Sequence, residues 1–210
     1  MELSRFEEVI RTSEHLRKIV KEPSRLVAHK EIDHIDDFCR VFIAASPFLV
    51  LSTRSGAGAV DLSPKGDPPG FVRILDEKTL AIPDRLGNNR LDTLCNLIED
   101  DRVGIIFFVP GKRETLRLSG RGAIVRDDAL NSELAHDGKA PNLAIVVEVE
   151  RAFFHCAKCM IRSGLWEPQK WPDSSDLPTL GQTMVRHGAL PDPVEEIDRI
   201  VEQNAVKRLY

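Results

Sequence analysis

The stretch Leu80–Val109, LAIPDRLGNNRLDTLCNLIEDDRVGIIFFV, reads as a short strand, a polar elbow, one helix and an apolar strand. Leu80, Ala81 and Ile82 run into Pro83, Asp84, Arg85, Leu86, Gly87, Asn88, Asn89 and Arg90, where turn-forming and charged residues replace the apolar pattern. Helical spacing follows near residues 90–99, and Val103, Ile105, Ile106, Phe107, Phe108 and Val109 then make a β-prone run. This is the one helix that clearly interrupts the central strands. A doubly wound sheet, with a helix after every strand, therefore fits poorly, and an antiparallel barrel fits better.

The elbow also carries a chemical expectation. A helix opening near Asn89 presents amides without internal partners to whatever lies beyond its N-terminus, so an anion suits that place. Arg85 and Arg90 can add charge-assisted hydrogen bonds, Gly87 permits close backbone approach, and Asn88 and Asn89 are good N-cap types. Two readings stand on this segment alone: a phosphate pocket, or a capped surface helix with two solvated arginines.

Outward from the elbow, β-rich runs occupy residues 48–53, 59–62, 71–75, 79–82, 103–109, 115–125 and 143–154, separated by Gly, Pro and Asp. The last run is expected to be two strands with a turn near Glu150. Upstream, Phe6, Val9, Ile10, Leu16, Ile19 and Val20 recur at helical spacing over residues 6–20, Pro23 can start a short helix, and residues 33–45 form a third that Pro47 ends. Asp127 can cap a short helix through Leu134. Residues 167–193 read as an irregular wrap, and residues 193–206 as a helix striped by Val194, Ile197, Ile200 and Val201. The expected fold is mainly β with flanking helices (α+β), an antiparallel split barrel in one structural domain. Residues 1–46 form a helical segment packing on the barrel, 47–166 the core, and 167–210 the wrap and C-terminal helix.

At 210 residues, 42% apolar and 30% charged, the chain has the composition of a soluble globular protein with a substantial core. A formal charge of −4 argues against nonspecific nucleic-acid binding. No run approaches the roughly 20 apolar residues that span a bilayer, and residues 1–10 lack an apolar signal core, so a cytoplasmic protein is expected. Cys39, Cys95, Cys156 and Cys159 are expected as reduced thiols rather than a disulfide framework.

Four further segments bear on the elbow. Ser63, Pro64, Lys65, Gly66 and Asp67 follow a short strand, where a lysine can project from a barrel rim toward an anion or simply lie in a solvated turn. Thr115, Arg117 and Ser119 alternate in strand fashion and share one face, useful to a ligand or merely exposed. His155, Cys156, Ala157, Lys158 and Cys159 hold a C-x-x-C pair that can chelate zinc or cycle as a dithiol, although no second close Cys/His pair completes a closed zinc site. Arg162, Ser163, Gly164, Leu165 and Trp166 offer a guanidinium and an indole that can frame a planar ring or anchor the wrap. No hydrolase triad, Walker A loop or Rossmann glycine motif is present.

In order, LSPKGD, IPDRLGNNRLDTL, DDRVGIIFFVPG, TLRLSGRG and HCAKCMIRSGLW resemble the pyridoxamine 5′-phosphate oxidase-like family of FMN-binding split barrels, over residues 48–166. The set looks most like a subgroup of probable FMN-dependent enzymes of unassigned substrate. The resemblance implies a homodimer with FMN at the subunit interface, each site built from both chains. Lys65, Arg85, Asn88, Asn89 and Arg90 match positions that hold phosphate and ribityl groups. Thr115 and Arg117 match positions that reach the flavin from the partner chain, while Arg162 and Trp166 match the residues that approach its ring. Two departures stand out. The vitamin B6 oxidases carry a serine-arginine-lysine run at the elbow, where this chain has Asn88, Asn89 and Arg90, and their tryptophan precedes the arginine. FMN binding survives the comparison better than vitamin B6 oxidation. The leading expectation is an FMN-dependent oxidoreductase acting on an unidentified small molecule, with no side chain assigned as catalytic and no metal. The alternatives are a non-catalytic flavin- or haem-binding module on the same barrel and a zinc-stabilised interaction protein centred on Cys156 and Cys159.

Overall fold

The computed structural model describes residues 2–210, and the chain falls into two compact units, residues 1–31 and 32–210. The first holds two short helices, α1 (Ser13–Ile19) and α2 (Arg25–Ala28). Thr12 caps α1 by accepting from the His15 amide at 3.2 Å, so the helix starts at residue 13 although apolar spacing begins at Phe6.

The second unit opens with α3 (Asp37–Ala45), capped by Asp36, and passes Pro47 into β1 (Phe48–Arg54) and β2 (Val60–Gly66). Then come β3 (Arg73–Ile74), β4 (Thr79–Pro83), α4 (Asp92–Glu99), β5 (Arg102–Phe108), β6 (Thr115–Val125), α5 (Asp128–Glu133) and β7 (Ala144–His155). The chain closes with α6 (Lys158–Ser163), a 3₁₀ turn at Pro168–Lys170, α7 (Leu180–Gly188) and α8 (Val194–Lys207). No helix is long and apolar enough to cross a membrane among the described residues.

Every strand pairing is antiparallel, in the order β2-β1-β5-β6-β7-β4-β3. β2 and β4 are separated by four strands in that order, yet Arg85 just after β4 donates from Nε to Asp67 Oδ2 just after β2, at 2.6 Å. The sheet therefore curls until its ends face one another, which is a barrel split along one side. α4 seals part of the split: Thr93 donates to Asp61 on β2 at 3.1 Å, and Asn96 to Thr53 on β1 at 3.1 Å. Inside the curl lies the core, with Leu49, Leu51, Leu80, Ile82, Phe107, Leu116, Ile145 and Val147 inaccessible to solvent.

Three local expectations are corrected. β7 is one strand, not two, because Ser119 pairs with Arg151 and Gly120 with Val149, leaving Glu150 as the extra residue of a β-bulge. Gly120 permits it: a Cβ there would stand 1.9 Å from the Glu148 carbonyl oxygen. β2 runs on to Gly66, so Ser63 and Lys65 are strand residues with alternating burial rather than members of a turn. Within the expected wrap, α7 is a full helix opened by a capping box between Thr179 and Gln182, and Asp198 of α8 accepts from Thr179 Oγ1 at 2.8 Å and the Gly181 amide at 2.9 Å.

Candidate functional site in the split of the barrel

A cleft of about 570 Å³ lies in the split, lined by Ser63–Gly66 of β2, by the elbow 83–91, by Thr93 and Leu94 of α4, and by Asn142 and Leu143. Its volume falls within the range of small-molecule and cofactor sites. Lys65, Arg85, Asn88, Asn89 and Arg90 all lie on its wall. Thr115, Arg117, Arg162 and Trp166 do not.

The elbow reaches α4 later than its asparagines suggest. Asn88 Oδ1 accepts from the Arg90 amide at 3.0 Å, and Asn89 sits at φ 60°, a left-handed conformation that asparagine tolerates. The helix therefore starts at Asp92, after Leu91, which supplies no side-chain cap. Asn88 and Asn89 shape a loop around the cleft rather than capping its helix, and both side chains are exposed on its wall.

Each cation at the cleft has an acidic neighbour, and the three pairs differ in strength. Arg85 is committed. Its Nε donates to Asp67, whose side chain is 1% exposed, and its Nη2 donates to the Leu134 carbonyl at 2.8 Å. The Tyr210 ring lies under the guanidinium at 5.5 Å, and its hydroxyl donates to Asp67, a bond that raises the phenol pKa. A buried, multiply bonded arginine of this kind holds β2 to the elbow and has little left to offer a ligand.

Lys65 and Arg90 are placed differently. Lys65 Nζ is 3.5 Å from Asp84 Oδ1, longer than a tight charged hydrogen bond. Arg90 donates to Asp92 at 2.7 Å on an open surface, the guanidinium side chain being 73% exposed; their hydrogen bond holds the Asp92 carboxyl below its ordinary range. Solvent-exposed pairs of this type contribute little, so an incoming phosphate can displace Asp92 from Arg90. The donors available for an anion and a polyol are thus Lys65, Arg90, the two asparagine amides and the backbone amides before α4. That donor set fits the phosphate and ribityl chain of FMN.

The remaining expected site residues belong elsewhere. Register places Lys65 on the face shared by Leu49, Phe107 and Leu116, and Arg117 on the opposite face with Pro64, Val50, Ile106 and Phe153. Arg117 stacks over the Phe153 ring at 5.1 Å. Thr115 is buried at the start of β6, its hydroxyl without a hydrogen-bond partner. Arg162 is exposed on α6, and Trp166 donates from Nε1 to the Lys112 carbonyl at 2.7 Å. Sequence reading missed Asp67, Asp84 and Asn142, which help build or line the cleft. Asp67 was legible as a turn residue but not as the buried partner of an arginine 18 positions away. Among the described residues no three His, Cys, Asp or Glu side chains converge as a metal site, so a zinc reading on Cys156 and Cys159 lacks its other donors.

No curated protein matches the chain. Among solved structures, HupZ from Group A Streptococcus is 18% identical with a TM-score of 0.47, covering 57% of this chain and 93% of that one. A Lactobacillus delbrueckii protein described as a putative pyridoxamine 5′-phosphate oxidase is 16% identical, TM-score 0.46, covering 59% and 98%. An FMN-binding protein from Syntrophomonas wolfei is 11% identical, TM-score 0.41, covering 56% and 80%. The family model for pyridoxamine 5′-phosphate oxidase matches residues 35–156, more than half of the length, and the chain belongs to that family.

Proposed function

We propose that the protein is a homodimeric FMN-dependent oxidoreductase whose cofactor lies in the split of the barrel. The observation that carries this reading is the division of the family's ligand positions between two faces of one sheet. Lys65, Asn88, Asn89 and Arg90 gather at the cleft, while Arg117 points from the other face. A single protomer holds one half of a site; a second copy supplies the other. The outer face of the sheet suits that role. Phe48, Val60 and Leu62 are 40%, 69% and 65% exposed, beside half-buried Val50, Ile106, Phe108 and Phe153. Apolar surface of this extent on a strand face favours burial against a partner.

Lys65 and Arg90 hold the phosphate, and Asn88 and Asn89 donate to the ribityl hydroxyls. Arg117, Arg162 and Trp166, none of which lines the cleft of its own protomer, frame the ring from the second protomer, whereas Thr115 is buried and stays out of the contact. FMN supplies the hydride or electron transfer, and the protein anchors, orients and shields it. The substrate is an unidentified small molecule. The absorption spectrum of freshly purified protein tests the cofactor, with flavin bands expected and a haem spectrum or a bare protein band after FMN soaking against it. Stopped-flow mixing with reduced nicotinamide cofactors tests turnover, and a bound flavin inert to every donor would favour a binding module.

A further inference from the structure

We propose that Cys156 and Cys159 form a redox-active dithiol that low-molecular-weight disulfides oxidise to an intramolecular bond. All four cysteines are free, but they are not equivalent. Cys39 is buried on α3, its thiol pushed up to about 12 chiefly by burial. Cys95 is exposed on α4, with no cysteine near it in sequence. Cys156 and Cys159 are both exposed and sit at the turn between β7 and α6.

Backbone geometry sets their separation. The distance between residues i and i+3 depends on the dihedrals of the two residues between them. Here Ala157 is right-handed helical at φ −66°, ψ −11°, and Lys158 is the first residue of α6. Two consecutive right-handed residues make a turn that brings the flanking Cα atoms within about 7 Å. A disulfide spans Cα atoms about 4.4–6.8 Å apart, so this turn sets the two backbones at a separation that a disulfide bridges. The adjoining residues favour an anionic oxidant. Lys158 and Arg162 lie within the segment and residues 155–162 contain no carboxylate, a local charge that attracts a disulfide bearing carboxylates.

The reaction balances as thiol–disulfide exchange. One thiolate attacks the small disulfide, forming a mixed disulfide and releasing the first small thiolate. The second cysteine, deprotonated, then attacks the protein sulfur of that mixed disulfide and releases the second small thiolate. Two protein thiols are oxidised and one small disulfide is reduced to two thiols. The product bond pins the turn ahead of Arg162 and Trp166.

Glutathione disulfide is the probe. The full-length protein is equilibrated with it, trapped with iodoacetamide and digested with trypsin, which cuts after Arg151, Lys158 and Arg162. Peptides 152–158 and 159–162 are then expected as one species joined by a disulfide, while exposed Cys95 carries a glutathione adduct as an internal control. Cys156→Ser and Cys159→Ser should each stop at a mixed disulfide on the remaining cysteine, which the wild type does not accumulate, and dithiothreitol should restore all thiols. Recovery of wild-type Cys156 and Cys159 as two separate adducts, or as free thiols under conditions that modify Cys95, would overturn the proposal. Spectra of bound flavin play no part in this readout, so its outcome is independent of the proposed cofactor.

Discussion

The two arginines of the elbow should behave oppositely when changed, and Asp67→Ala exposes the difference. In the wild type, Asp67 takes the Arg85 Nε bond at 2.6 Å and the Tyr210 hydroxyl, with side chains 1% and 17% exposed for Asp67 and Arg85. Removing the carboxylate leaves a mostly buried guanidinium with the Leu134 carbonyl as its remaining acceptor. Breaking a buried pair on one side costs about 3–5 kcal/mol. For a unit of this size each kcal/mol lowers Tm by about 2–4 °C, giving a loss of roughly 6–20 °C. Arg85→Ala should cost a similar amount, since it strands a buried carboxylate. The double variant Asp67→Ala/Arg85→Ala, which leaves neither charge behind, should be less destabilised than the sum of the two singles by about 2 kcal/mol or more. Arg90→Ala should leave the urea midpoint close to that of the wild type, its pair being on the open surface. Chemical denaturation of the four variants beside the wild type checks this. Additive singles, or an Arg90 variant as unstable as the Arg85 variant, would refute the assignment of Arg85 to architecture and Arg90 to ligand.

Other outcomes follow from the same geometry. Gly120→Ala forces a Cβ into the Glu148 carbonyl at the bulge and should cost about 3 kcal/mol in urea melts; an unchanged midpoint would contradict the β6–β7 register. Asp33 is exposed, and its hydrogen bond to Lys78 is the main cause that lowers its pKa from the ordinary 3.8 to about 2. Because the folded-state value is depressed, the stabilisation it gives is complete above pH of about 4 and lost as pH falls through about 2. Asp33→Asn should therefore flatten the acid limb of the stability curve in that window, and an identical limb in both proteins would sink the assignment. Thr179→Ala removes the α7 cap and the bond to Asp198, costing about 1–2 kcal/mol locally; hydrogen exchange should show lost protection at residues 181–183, and retained protection would count against the capping box.

Much of this architecture was legible because strand residues alternate and helix ends carry recognisable caps. Asp127 marks the start of α5, whereas α3, expected from residue 33, opens at Asp37 behind the Asp36 cap; the register confirms that Thr115, Arg117 and Ser119 lie on one side of β6. Where reading failed, the cause was tertiary at β7 and the elbow, and local at α7. Glu150 looks like a turn only if β7 is considered without β6; beside Gly120 it is a bulge. α7 was hidden among prolines and serines, although Thr179 and Gln182 spell a capping box three residues apart. The elbow cations were visible as charges but not as pairs, because Asp67 meets Arg85 only after the sheet curls through β1, β5, β6 and β7. The same curl decides which predicted site residues meet at one cleft and which face away from it.

The central claim is that the cleft in the split reads the phosphate of FMN through Lys65 and Arg90. Fluorescence titration of the purified protein with FMN and with riboflavin, repeated for Lys65→Ala and Arg90→Ala, tests it most directly. A charge-assisted hydrogen bond is worth about 1.5–3 kcal/mol, so wild-type protein should prefer FMN over riboflavin by at least about 10-fold, and each variant should lose most of that preference while retaining wild-type riboflavin affinity. Equal affinity for the two flavins, or variants that weaken both alike, would contradict it.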